Sequence, residues 1–117
     1  MTLRNERVRK TLMKEIADIL QKEVRDSRIS GVISILDVEV SHDNSYAKVY
    51  YSVFGGNEEA KEKTMEAIKQ NTSKIRYEVG KRIRLRLTPE LRFIYDDSID
   101  RGAKVNEIIE KISRGEL

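Results

Sequence analysis

A chain of 117 residues fits a single domain spanning 1–117 and is long enough to bury roughly two-thirds of its unfolded surface. Hydrophobic residues make up 38% and charged residues 37%, with no Trp and only two Phe, so the core must be small and built mainly from Ile, Leu and Val. The absence of Cys rules out a disulfide framework or a thiolate metal site. The charged N-terminus has no apolar h-region of a signal peptide, and no apolar run approaches membrane-spanning length, so a soluble, cytoplasmic protein without membrane contact is expected. A monomer is expected as well.

Val8, Leu12, Ile16, Ile19 and Leu20 recur at spacings of three and four, which predicts an amphipathic helix from about Arg4 to Val24. "RDSRISG" breaks it. "VISILDVEV" is rich in β-branched residues, and Leu36, Val38 and Val40 alternate with Asp37 and Glu39 as in a half-buried strand. After the turn residues "SHDNS", Ala47, Val49, Tyr51 and Val53 alternate with Tyr46, Lys48, Tyr50 and Ser52, and the two strands read as a hairpin. "GGN" ends it, and Asn57 can cap the helix of "EEAKEKTMEAIKQ", with Glu58 and Glu59 at its positive end. The stripe continues through Thr72, Ile75 and Val79. The short polar side chains of "NTS" at 71–73 compete for the backbone, so a kink or break is expected there.

Residues 81–87 are ambiguous. Alternation favours a strand, while Ile75, Val79 and Ile83 continue at helical spacing. The balance favours a helix ending near Arg84 and then an extended link. Either shape puts Lys81, Arg82 and their neighbours on the solvent side. "LRFIYD" predicts a strand with Pro89 at its edge, since proline cannot donate to a ladder. Ser98 can cap a last helix that buries Val105, Ile108, Ile109 and Ile112. The ends, 1–3 and 113–117, are expected to fray. The order is α–β–β–α–α–β–α, an α+β chain with helices on one face of a three-stranded sheet.

Net charge is only +3, yet the charge is uneven. Arg4, Arg7, Arg9, Lys10 and Lys14 stand against Glu6 alone. Lys74, Arg76, Lys81, Arg82, Arg84, Arg86 and Arg92 stand against Glu78 and Glu90. Two basic patches on a nearly balanced protein point to a local anionic partner, and arginine clusters suit phosphate recognition. Arg86 and Arg92 can instead pair with Glu90 or with acids on a neighbouring strand. Other chemistry finds little support. His42, the only histidine, reads as an exposed turn residue. Asp96, Asp97 and Asp100 could hold Mg²⁺, but they sit where a strand gives way to a helix and suit its dipole. There is no Walker loop and no GxGxxG, and no catalytic set, cofactor or metal site is expected.

The order α–β–β–α–α–β resembles that of a type II KH domain, a single-stranded nucleic-acid binder that normally carries a GxxG loop between its adjacent helices. Here the junction is "NTSKIR", without glycine. "RVRKTLMKEIADILQKEVRD", "VEVSHDNSYAKVYYSVFG" and, most specifically, "LRLTPELRFIYDDS" resemble the ribosome-binding factor A family over nearly the whole chain. In much of that family the kink carries Ala-x-Gly, where this chain has Asn71, Thr72 and Ser73. The resemblance implies a non-catalytic assembly factor that binds the free 30S subunit and its 16S rRNA. It implies support for late rRNA processing and growth in the cold, and other 30S assembly factors, GTPases among them, as partners. It also implies an RNA-facing role for Asn71 and Ser73. Two alternatives stay open: a protein–protein adaptor with a KH-like fold, and an enzyme acting on RNA. Steep salt dependence of binding separates the first function from the adaptor.

Overall fold

The computed structural model describes residues 3–85 and 87–97. Helix α1 (Leu3–Lys22) is followed by strands β1 (Val32–Val40) and β2 (Tyr46–Phe54), helices α2 (Glu58–Gln70) and α3 (Thr72–Arg82), and strand β3 (Glu90–Tyr95). This is the expected α+β order through the third strand. The last helix expected after Ser98, with Val105, Ile108, Ile109 and Ile112, lies outside the described residues, as do Asp100 and the ends 1–2 and 113–117. Leu3 opens α1. Among the described residues no helix is long and apolar enough to cross a membrane.

The helical stripe of α1 is buried as its spacing requires: Leu12, Ile16 and Ile19 are fully enclosed. β1 and β2 pair antiparallel, and β3 adds in parallel to β2, giving the order β1-β2-β3 with β3 on an edge. One correction concerns β1. Ile35 faces Tyr51 and Asp37 faces Tyr50, so Leu36 is the extra residue of a bulge. The bulge resets the alternation, and Ile33 and Ile35 pack against the same core as Val38 and Val40. The hairpin turn is tied by Asp43, which accepts the Ser45 hydroxyl at 2.7 Å, the Ser45 N–H at 3.1 Å and the Ser41 hydroxyl at 3.0 Å. Those bonds, the Ser45 hydroxyl first, pull the Asp43 carboxyl down to about 2.

At the end of the hairpin the chain must pass close to itself. Gly31 has φ +74°, and a Cβ there would lie 2.3 Å from the Phe54 carbonyl oxygen, so no other residue fits without backbone movement. The Asn57 side chain caps α2 as expected, accepting the Ala60 N–H at 2.8 Å. α3 ends at Arg82, and Ile83 is extended (φ −113°, ψ 123°), so the helix stops two residues earlier than expected. The three helices share one core with the inner face of the sheet, where Ile68 of α2 and Ile75 and Val79 of α3 join the α1 stripe and the strand residues.

Candidate nucleic-acid interface

On α1, Arg7, Lys10 and Lys14 recur at spacings of three and four, opposite the buried Leu12, Ile16 and Ile19, and all three are exposed. Among the described residues none of them has an ion-pair partner. Arg9 behaves differently. Its guanidinium holds Glu6, donates to Asp37 Oδ1 at 2.8 Å and touches Met13 Sδ at 3.4 Å, leaving 23% of the side chain exposed. Glu6 first and then Asp37 raise its proton affinity above the ordinary arginine value. Arg9 therefore ties α1 to the bulge of β1. The Arg4 side chain lies outside the described set.

The second patch divides in the same way. Ser73, Lys74 and Arg84 are exposed, and among the described residues Lys74 and Arg84 have no ion-pair partner. Lys81 is exposed with its Nζ 3.5 Å from Glu78 and 5.2 Å from the centre of the Tyr77 ring. Arg76 donates to the Pro89 carbonyl at 3.1 Å and the Thr88 carbonyl at 2.9 Å, bracing the link that leads into β3. Arg82, expected on the solvent side, turns to α1. It reaches Asp18 at 2.6 Å, Glu15 at 3.1 Å and Glu23 at 3.4 Å. The reason is tertiary: the last turn of α3 lands on the acidic flank of α1. Asp18, followed by Glu15, raises the Arg82 proton affinity, and Arg82, followed by Lys22, holds the Asp18 carboxyl below its usual range. Arg86 lies outside the described residues.

Asn71 makes the junction between α2 and α3. Its side-chain NH₂ donates to the Ala67 carbonyl at 2.7 Å and to Asp26 Oδ2 at 3.1 Å. The Thr72 hydroxyl donates back to the Ile68 carbonyl at 3.0 Å, a bond that short polar side chains make at the expense of a straight helix. Asp26 in turn takes the Arg28 fork at 3.0 and 2.7 Å and the Arg28 N–H at 3.0 Å. The Arg28 side chain, its N–H and then Asn71 hold the Asp26 carboxyl well below the usual carboxylate range. The break therefore exists without glycine, and the loop after α1 holds it from beneath. The Asn71 amide spends its hydrogens on that framework, while Ser73 faces outward.

The sequence reading missed a groove of about 940 Å³ between α2 and the free side of β3. Met65, Leu91, Phe93 and Tyr95 give it apolar walls, and Glu66, Lys69 and Arg92 give it a rim of mixed charge. Tyr51 sits edge-on to Phe93 at 6.1 Å and to Tyr95 at 5.5 Å, and burial pushes its phenol up to about 12. The alternation of Leu91, Phe93 and Tyr95 with Arg92 was the available signal. His42 is exposed in the hairpin turn, and no cluster of metal-ligating side chains exists among the described residues.

These features define a small α+β domain with a kinked helix pair, an edge-strand groove and two exposed cationic faces. The family model described as ribosome-binding factor A matches residues 4–109. A Halothermothrix orenii protein of that name is 47% identical over 97% of this chain and 91% of its own length. Among solved structures, the solution NMR structure of a Thermotoga maritima protein is 33% identical, covering 80% of this chain and 87% of that one, with a TM-score of 0.66. A Thermus thermophilus ribosome-binding factor A, fitted as a homology model into a cryo-EM map of its 30S complex, shares the fold. Its TM-score is 0.61 at 24% identity, over 76% of this chain and 91% of that one. The chain belongs to the ribosome-binding factor A family.

Proposed function

We propose that this chain is a non-catalytic assembly factor that binds the free 30S subunit through its 16S rRNA, acting as a single-domain monomer in the cytoplasm. In this role it supports late 16S rRNA processing and 30S maturation, growth in the cold included, alongside other assembly factors such as GTPases. Family membership and the 30S complex of the Thermus thermophilus protein support the reading. The observation that carries it is the set of exposed cations that form no ion pair among the described residues: Arg7, Lys10 and Lys14 on α1, and Lys74 and Arg84 on or after α3.

Of the other cations expected to meet phosphate, Lys81 is exposed as well, with Glu78 3.5 Å from its Nζ, and Arg4 and Arg86 are included by position in the sequence. Arg9, Arg76 and Arg82 serve the same surface by holding its elements in place. Asn71 shapes the junction from which Ser73 is presented.

Sedimentation with free 30S subunits across a salt series tests the proposal. Each phosphate that is no longer neutralised should lower the slope of log K against log salt by about one unit. Lys10→Gln, Lys14→Gln and Lys81→Gln, each well folded, should show that reduction. A wild-type slope in a triple variant would remove these faces from the interface. Binding that hardly responds to salt would favour the protein adaptor.

A further inference from the structure

Two large apolar side chains stand together on the outward side of α3 and the link beyond it. Tyr77 is 66% exposed and Leu87 is 59% exposed. They line one groove of about 560 Å³ with Ser73, Arg76, Lys81 and Thr88. Their exposure is not the slack of a loose loop. Arg76 holds the carbonyls of Thr88 and Pro89 at 2.9 and 3.1 Å. Gly80 lets the link lie against the helix, since a Cβ there would come within 2.8 Å of Thr88 Oγ1. The backbone is fixed so that Leu87 projects beside Tyr77.

Lys81 keeps its Nζ 5.2 Å from the ring centre of Tyr77, and Lys74 lies on the same side of the helix about one turn away. The only carboxylate on α3, Glu78, is largely covered and already paired with Lys81. The surroundings are thus cationic. The apolar patch is two side chains wide, too small for the core of a protein interface, which engages roughly 20–30 residues on each side. It matches one flat ring system bearing negative charge at its edge.

We infer that Tyr77 and Leu87 form a seat for one unpaired RNA base, whose flanking phosphates are met by Lys74 and Lys81. The inference deepens the proposed 30S-binding role and rests on it. The base stacks on the Tyr77 ring and packs its edge on Leu87. Lys81 exchanges its place over the ring for a phosphate. This seat is separate from the groove between α2 and β3.

The chain has no Trp, so Tyr77→Trp places a single indole at the seat. Its fluorescence should be quenched both by free 30S subunits and by a single-stranded RNA oligonucleotide of mixed sequence. Tyr77→Phe and Tyr77→Trp should bind 30S as the wild type does. Tyr77→Ala and Leu87→Ser should each weaken binding about tenfold, as expected for losing one stacked base. Stacking releases no counterion, so their salt slope should stay that of the wild type, unlike that of Lys74→Gln. Both side chains are exposed, so melting temperatures should not move. Full 30S affinity of Tyr77→Ala would overturn the inference, as would an indole left unquenched on bound 30S. Quenching by 30S but not by the oligonucleotide would give the seat to a protein and overturn it equally. If the wild type fails to bind 30S at all, the proposed function falls, while the oligonucleotide still decides the seat.

Discussion

Replacing Thr64 with valine exchanges a hydroxyl for a methyl group at a position with no solvent exposure. The Thr64 hydroxyl accepts the Ser30 N–H at 3.1 Å. Its own hydrogen can go to one acceptor at a time, the Ala60 carbonyl at 3.0 Å, the Arg28 carbonyl at 3.2 Å or the Ser30 carbonyl at 3.4 Å. Ala60 is a helix carbonyl with another donor within the helix, so losing that bond costs little. The loss falls on Ser30, whose N–H is left without its acceptor, though its residue is exposed and water can meet part of the need. A net hydrogen bond plus partial desolvation comes to about 1–2 kcal/mol. In a chain of 117 residues that lowers the melting temperature by about 4–8 °C. Urea unfolding measures the free energy, and amide exchange at Ser30 locates it. Protection of that amide should fall in Thr64→Val and persist in Thr64→Ser, which keeps the oxygen. A Thr64→Val protein with unchanged stability and a still-protected Ser30 amide would show that the hydroxyl does not anchor the loop.

Arg82→Gln should lower the melting temperature, because Glu15, Asp18 and Glu23 lose their shared cation, while Lys81→Gln and Arg84→Gln should melt like the wild type. The Asp26 carboxyl is depressed in the folded state, so its stabilising effect is complete above its ordinary value near 3.8 and disappears as pH falls through the lower folded value. Acid unfolding curves of Asp26→Asn should therefore converge on the wild type at low pH and lie below it near neutrality. Gly31→Ala should cost about 2 kcal/mol or more in a denaturant titration, from left-handed strain and the clash with the Phe54 carbonyl. A loss under about 0.5 kcal/mol would mean the turn relaxes freely.

Local chemistry made much of the fold legible. The α1 stripe, the two hairpin strands, the Asn57 cap and the break at 71–73 each depend on residues a few positions apart, and each stands where the sequence put it. Leu36 was misread because "LDVEV" alternates smoothly on its own. Only pairing with β2 reveals that the register shifts between Ile35 and Asp37. The fate of Arg9 and Arg82 was hidden for a related reason. A basic side chain on the polar side of a helix reads as solvated; Glu6 lies one turn from Arg9, but Asp37, which ties Arg9 to β1, and the carboxylates that claim Arg82 lie 28 and 59–67 residues away in the chain. The acids at Glu15, Asp18 and Glu23 were visible, but nothing local said which helix would meet them. The groove beside β3 was equally non-local, since it exists only once α2 lies next to that strand.

The division of labour among the cations follows from their chemistry. Arg9, Arg28, Arg76 and Arg82 each hold two or more acceptors within the protein. The planar guanidinium fork meets several oxygens at once, which a lysine ammonium on a flexible stem does less well. Much of the arginine-rich character that suggested phosphate recognition is therefore spent on architecture: Arg9 joins α1 to β1, Arg28 holds the Asp26 that Asn71 reaches, Arg76 joins α3 to the link, and Arg82 joins α3 to α1. Among the described residues, the exposed basic charge left unpaired on α1 is Arg7, Lys10 and Lys14, and the two lysines are point charges that attract phosphate at a distance without fixing its orientation. Under the proposed function, the fit to 30S must then come from how the two faces are set against each other. Arg82 spans the helices that carry those faces, so its contacts with Glu15, Asp18 and Glu23 join the shared core of Leu12, Ile16, Ile75 and Val79 in setting the α1 face against the α3 face, without needing to touch RNA.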